Sequence, residues 1–288
     1  MRIVNYQGTG CTFDYFDSLS SVANVQVAEV NMERWRDTIR NESEDWLGIK
    51  GGRAKIREVV ELYGWSEGVD RGIETFLELQ APNLPSRRKK RCHGSSGHTL
   101  NLARMYSGSF EKMWATSQRE LTNKKMNNRG LVTIAIDIST SCGISGDAYF
   151  WRGALGMCLT KALMESGRKV RVLACNSTRA FKRDGSEDAN LGEKNLTAVV
   201  LVKDFNQPLE LNSMFAITAL SGFYRHYIFK VILSMPCQVD SGLGRPDTLR
   251  VENMAPIMDD SPTLIIENIW NKETAVEKAS KIMEELKA

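Results

Sequence analysis

The sequence predicts an α/β fold: a mostly parallel sheet flanked by helices over residues 131–288, preceded by a mainly helical region over 1–85 and by a basic linker and helix over 86–130. Three stretches carry this reading. Leu131-Val-Thr-Ile-Ala-Ile-Asp137 is a β-branched apolar run that ends in a polar loop. Tyr149–Glu165 is an apolar-rich run of helix length, and Lys169–Cys175 is a second short β-branched run. Strand, helix and strand in that order form the unit from which parallel sheets covered on both faces are built.

Taken in order, the chain begins with an expected edge strand at Arg2–Tyr6, and Asp14–Ala23 is expected to pack as a short helix. Residues 51–79 are more legible. Ile56, Val59, Val60 and Tyr63 recur at helical spacing before Gly64, as do Val69, Ile73, Phe76 and Leu77 after it, with Ser66 as the N-cap of the second helix. Pro82 and Pro85 close that helical pair, and Ser86–His98 reads as an exposed linker. Leu100–Gln118 returns to helical spacing, interrupted at Ser107-Gly108. Beyond the opening unit, residues 177–195 read as a polar loop and Leu196–Val202 as a third strand. Leu209–Leu220 and Phe223–Met235 read as helices, the first with Pro208 in its opening turn. Gln238–Asp260 has no period and reads as loop. Thr263–Ile269 is a fourth strand, and Lys272–Leu286 is an amphipathic helix with Ala275, Val276, Ala279, Ile282 and Met283 on one face.

Composition narrows the class. The 288 residues are 42% apolar and 25% charged, which is ample for a sizeable core. No apolar run reaches the ~18 residues of a membrane span. The first residues carry no apolar stretch with a small-residue cleavage site, so a cytoplasmic location is expected. Six cysteines are scattered without a Cys-x-x-Cys pair, which favours reduced thiols over disulfides or structural zinc. The net charge of +3 is small, but the excess is local: residues 1–130 hold 20 Lys and Arg against 16 Asp and Glu, while 131–288 hold 18 against 19.

In an open parallel sheet, ligands bind beyond the carboxyl ends of the strands. Asp137-Ile-Ser-Thr-Ser141 lies at such an end, and oxygen donors at alternate loop positions suit a hard cation such as magnesium. The plainer reading is that Asp137 and Ser139 cap the following helix or hold the loop by local hydrogen bonds. Asp-x-Ser-x-Ser after the first strand resembles the metal-ion-dependent adhesion site of the von Willebrand factor type A family, whose Rossmann-like element order is similar to residues 131–288. The resemblance implies a Mg2+ site at Asp137, Ser139 and Ser141, with Thr218 the nearest candidate for the family's later Thr. Glu267 stands where the family has an Asp in a Thr-Asp-Gly sequence. A second resemblance covers more of the chain. Gly64-Trp-Ser-Glu-Gly68, Met105-Tyr-Ser-Gly108, Trp114, Val132–Asp137 and Tyr149-Phe-Trp-Arg-Gly-Ala154 look like an uncharacterised phage and bacterial family with a helical N-terminal part and a von Willebrand A-like C-terminal part. It implies a phage-related setting in a bacterial cell.

Arg87, Arg88, Lys89, Lys90 and Arg91 form the other sharp feature. Five cations could neutralise phosphates, with Tyr106 or Trp114 stacking on bases, or they could simply be a solvated linker. Cys92-His93 and His98 fit no zinc module, and Gly94-Ser-Ser-Gly97 lacks the elbow context of a nucleophile. No phosphate-binding glycine loop is present, and His226 reads as an exposed or capped helix residue rather than a catalyst. An enzyme is therefore disfavoured. The expected function is a non-enzymatic protein-interaction module using the Asp137–Ser141 loop, with or without a divalent cation. The alternatives are an RNA- or DNA-binding protein using Arg87–Arg91 and a virion or assembly component. On the nucleic-acid reading, changing all five basic residues to Ser abolishes gel retardation of nucleic acid at low salt; unchanged retardation marks the run as a linker.

Overall fold

The computed structural model describes residues 12–79, 90–94, 99–100, 102–118, 130–141, 143–179, 195–234, 243, 245–267 and 269–285. Strand β1 (Thr12–Phe16) is followed by short helices α1 (Leu19–Ala23), α2 (Met32–Ile39) and α3 (Glu44–Leu47). Helix α4 (Gly52–Glu58) runs on into a π-helical turn, Val59–Tyr63. Helix α5 (Ser66–Leu79) follows the break at Gly64, whose φ of 71° suits glycine alone. A small antiparallel sheet comes next, with β2 (Lys90–Gly94), β3 (Thr99–Leu100), α6 (Leu102–Tyr106) and β4 (Trp114–Gln118), the last strand lying between the other two. Then come β5 (Leu131–Asp137), α7 (Gly146–Glu165), β6 (Lys169–Arg179), β7 (Asn195–Lys203) and α8 (Leu211–Thr218). Helix α9 (Ser221–Phe223) passes through a second π-helical turn, Tyr224–Ile228, into α10 (Phe229–Leu233). The chain ends with β8 (Arg245–Pro246), β9 (Thr263–Ile266) and α11 (Lys272–Glu285).

The main sheet has the order β1-β7-β6-β5-β9, and β8 pairs with the far end of β6. β6, β5 and β9 are parallel, β1 is parallel to β7, and only the β6 pairings with β7 and β8 are antiparallel. The architecture is therefore α/β with a mostly parallel sheet, as expected. β5 is buried from Val132 onward, which is why its run is apolar without alternation. Ile134, Ile136, Val172 and Ala174 join the large core with α7, α8, α10 and α11. Ala135, Leu173, Cys175 and Val199 join a smaller cluster with Phe13, Leu249 and Met254.

Helix α7 has 14 of its 20 residues buried, because the N-terminal helices cover the side that the sheet leaves bare. Trp65 meets Phe150 edge-on at 6.4 Å, and Phe150 stacks on Phe215 at 5.9 Å. Val22, Leu47 and Ile56 share this core. Two local expectations are corrected. Residues 12–16 form a strand rather than the start of a helix, since Phe13, Tyr15 and Phe16 favour a pleated, half-buried surface. The helix expected over 100–118 is confined to α6, ends at Gly108 with φ 76°, and gives way to β4. The edge strand expected at Arg2–Tyr6 lies outside the described residues. Among the described helices, none is long and apolar enough to cross a membrane.

Arg53 fastens α4 to the second π-helical turn. Its guanidinium lies 5.8 and 5.6 Å from the Trp35 and Trp46 rings and donates to the carbonyls of Arg225 and Thr38 at 3.0 Å each. Nη1 also faces His226 Nδ1 at 3.3 Å. His226, read from the sequence as an exposed or capped helix residue, is buried. Burial, then Lys230, Arg53 and Arg57, push its pKa down to about 3 from 6.5. The folded ring stays neutral while the unfolded ring takes a proton, so the unfolded state binds more protons below pH 6.5. Stability attributable to this ring accordingly falls as pH drops from 6.5 toward 3, by up to about 1.4 kcal/mol per unit. Urea unfolding at neutral and mildly acidic pH checks this: the wild type loses more stability on acidification than His226→Asn, and equal losses overturn it.

Candidate functional site

The carboxyl end of β5 is held from below by side chains of α7. Ser145 caps that helix by accepting from the Ala148 N–H at 3.2 Å, so Asp137 and Ser139 are not its caps. Asp137 instead closes its own loop, where its Oδ1 accepts from the Ser139 N–H at 2.9 Å and from the Ser139 hydroxyl. The Ile138 N–H continues the ladder to the Cys175 carbonyl at 2.7 Å, while the Tyr149 hydroxyl donates to the Ile138 carbonyl at 3.2 Å. Arg152, 1% exposed, donates through Nη1 to the carbonyls of both Asp137 and Ser139, the second at 2.6 Å. Three successive carbonyls at the strand end are thus bound by one helix.

Above this floor lies a cavity of about 290 Å³. The loop contributes Asp137, Ser139, Thr140, Ser141 and Ile144, and α7 contributes Arg152. The segment Pro246-Asp247-Thr248 forms a second wall, while Glu267 and Trp270 after β9 form the third. The second wall is in place because β6 extends past Cys175. Thr178 pairs with Pro246 there, and the Asp247 N–H donates to the Ser177 carbonyl at 2.9 Å.

Charge in the cavity is unevenly balanced. Burial pushes the Asp137 carboxyl above the usual carboxylate range, the Arg152 charge and the Ser139 donors pull it back, and Glu267 adds to the rise. Burial likewise lowers the Arg152 pKa, and Asp137 is its strongest electrostatic support. The guanidinium also sits 3.9 Å from the centre of the Trp270 ring, a desolvated cation–π contact of about 2 kcal/mol. Tyr224 is pushed up to about 12, chiefly by burial.

Of the five candidate cation ligands, Asp137, Ser139, Ser141 and Glu267 line this one cavity. Thr218 does not: it lies within α8, fully buried, and its hydroxyl donates to the Met214 carbonyl at 2.8 Å. A hydroxyl inside a helix readily returns to the carbonyl one turn back, which takes it out of reach of the strand ends. Oδ1 of Asp137 is engaged twice by Ser139, and the buried Arg152 guanidinium donates to the carbonyls of the same two residues. Among the described residues, no three His, Cys, Asp or Glu side chains cluster closely enough to hold a metal ion.

In the basic run, Arg87, Arg88 and Lys89 lie outside the described residues. Lys90 and Arg91 open β2, opposite Gln118 and Ser117 of β4, rather than continuing a linker. What sequence reading missed was Arg152, Trp270 and Asp247. The signal for Arg152 was available: it is a charge within a helix apolar nearly all round, flanked by Trp151 and Gly153.

The chain belongs to the family described as a domain of unknown function, DUF7192, which matches residues 7–288. No curated protein and no solved structure matches it.

Replacing Arg152 by Met removes the charge that pulls the Asp137 carboxyl down and frees two carbonyls. A loss of about 1–3 kcal/mol for each buried carbonyl left without a partner is expected. Arg152→Lys keeps the charge but not the planar group stacked on Trp270 and falls in between. Chemical denaturation of the three proteins checks the order, and an Arg152→Met protein as stable as the wild type contradicts it.

Proposed function

We propose that this protein is a von Willebrand A-like interaction module that engages a protein partner through the cavity at the end of β5. The observation that carries this reading is the convergence of three separate chain segments, 137–144, 246–248 and 267–270, on one opening beyond the strand ends. The element order supports it: a strand, a crossover helix, a parallel strand, a hairpin partner, and a later strand that returns beside the first. The Asp-x-Ser-x-Ser sequence sits at the end of the first of these strands. The lining is mostly hydroxyls and carboxylates, with Trp270 as an aromatic wall. Asp247 and Glu267 as carboxylates only accept, so a partner group that donates hydrogen bonds suits the opening. The resemblance to phage and bacterial proteins points to a partner in a bacterial cell.

Ser141 and Thr248 are both exposed at the rim, so a bulky residue there fills the opening without disturbing the floor. Ser141→Trp and Thr248→Trp are expected to unfold like the wild type and to lose a partner that the wild type captures from host extract and that rebinds in purified form. Retention of that purified partner by both variants overturns the reading.

A further inference from the structure

We propose that the strand-end cavity carries its own resident cation, the Arg152 guanidinium, and works without a divalent metal ion. The proposal rests on the preceding one only in concerning the same cavity. Three contacts hold the guanidinium: the Asp137 carbonyl, the Ser139 carbonyl at 2.6 Å, and the face of Trp270 at 3.9 Å. The first two belong to the residues that would supply metal donors, so the positive charge is built into the strand end from below. The third is in the segment after β9, where a last anionic ligand would be sought. One side chain therefore bridges the two halves of the loop set that a metal ion would join. A divalent ion placed at Asp137 would meet a permanent positive charge in a desolvated setting, where like charges repel far more strongly than in water. An ion at Asp137 Oδ1 would also compete with the N–H and the hydroxyl of Ser139, which both donate to that oxygen, and Thr218 is turned away inside α8. Arginine suits the role because one Nη1 group donates to both carbonyls while the planar guanidinium stacks on an indole.

The test uses the full chain in two arms. In the first, Mn2+ and Mg2+ are titrated into the wild type by calorimetry, with thermal unfolding followed in either ion or in EDTA. The expected result is no saturable heat and the same melting temperature throughout. Saturable Mn2+ binding that Asp137→Asn abolishes overturns the proposal. In the second arm, a double-mutant cycle joins Arg152→Met and Asp137→Asn. Neutralising Asp137 is expected to recover roughly tenfold in the unfolding equilibrium constant that Arg152→Met loses, and strictly additive effects overturn the assignment of Arg152 as its counter-charge. Should Arg152→Met fail to fold, the first arm decides alone. Both arms read the ion and the charge pair, so loss of partner capture leaves them unaffected.

Discussion

A helix without a polar face must be covered on every side, and α7 imposes that demand on the whole molecule. The sheet covers one side through Ile134, Ile136 and Val172, and the remaining sides require α3, α5, α8, α9 and α11. Burying each large apolar side chain is worth ~1.5–3 kcal/mol, so Tyr149, Phe150, Leu155 and Leu159 tie the N-terminal helices to the sheet more firmly than any surface pair. The Arg71–Asp147 ion pair at 2.5 Å spans the same interface, but both partners are partly exposed, so it adds little. The same burial dictates what polar groups on α7 do. Thr160 returns to the Gly156 carbonyl at 2.7 Å, and Tyr149 and Arg152 reach the carbonyls at the end of β5.

Arg152 is half of a pattern. Arg225, fully buried on the neighbouring π-helical turn, donates to the Ile144 carbonyl and lies 4.6 Å from the Trp46 ring. The loop from 138 to 144 is therefore pinned at both ends by buried arginines, one at Asp137 and Ser139, the other at Ile144. Arg152 donates to two carbonyls and Arg225 to one, and each guanidinium lies over an indole ring, at 3.9 and 4.6 Å. Taking a charge out of water costs several kcal/mol even after relaxation, and carbonyls, indoles and a carboxylate offset that cost here. What the arrangement gains is a rigid cavity wall. A partner that binds a preformed wall does not have to order it, which removes one of the larger costs of association.

The fold was largely legible because its signals are local. The apolar run of β5, the helix-length run of α7 and the stop at Gly64 each act within a few residues. The misread places depend on distant partners. Residues 12–16 become a strand because β7 offers an edge to Phe13 and Phe16, and no local period reveals that. Trp114–Gln118 is helical by spacing but pairs across a sheet with β2 and β3. At the site, Asp137, Ser139 and Ser141 were visible as a motif, and Glu267 by its place at the end of a strand. Thr218 was the nearest candidate by sequence although within a predicted helix, and its hydroxyl returns to the Met214 carbonyl one turn back. Asp247 could not be seen, since its place follows from the pairing of β8 with the end of β6.

That pairing bears on why the cavity has a second wall at all. β6 runs on from Cys175 through Asn176, Ser177 and Thr178, all essentially buried, opposite Thr197 and Ala198 of β7. An apolar continuation of the strand would pack better, because each buried polar group without a partner costs about 1–3 kcal/mol. Here the Asn176 amide nitrogen and the hydroxyls of Ser177 and Thr197 find no protein partner. A hairpin kept polar at that cost is poorly explained as core. It is better explained by position: Thr178 pairs with β8, and the Ser177 carbonyl fixes Asp247 at the cavity rim. Places where a sequence departs from the most stable choice tend to be where function is housed. In this chain the polar end of β6 holds the Asp247 wall in place and the buried Arg152 lines the floor of the same opening.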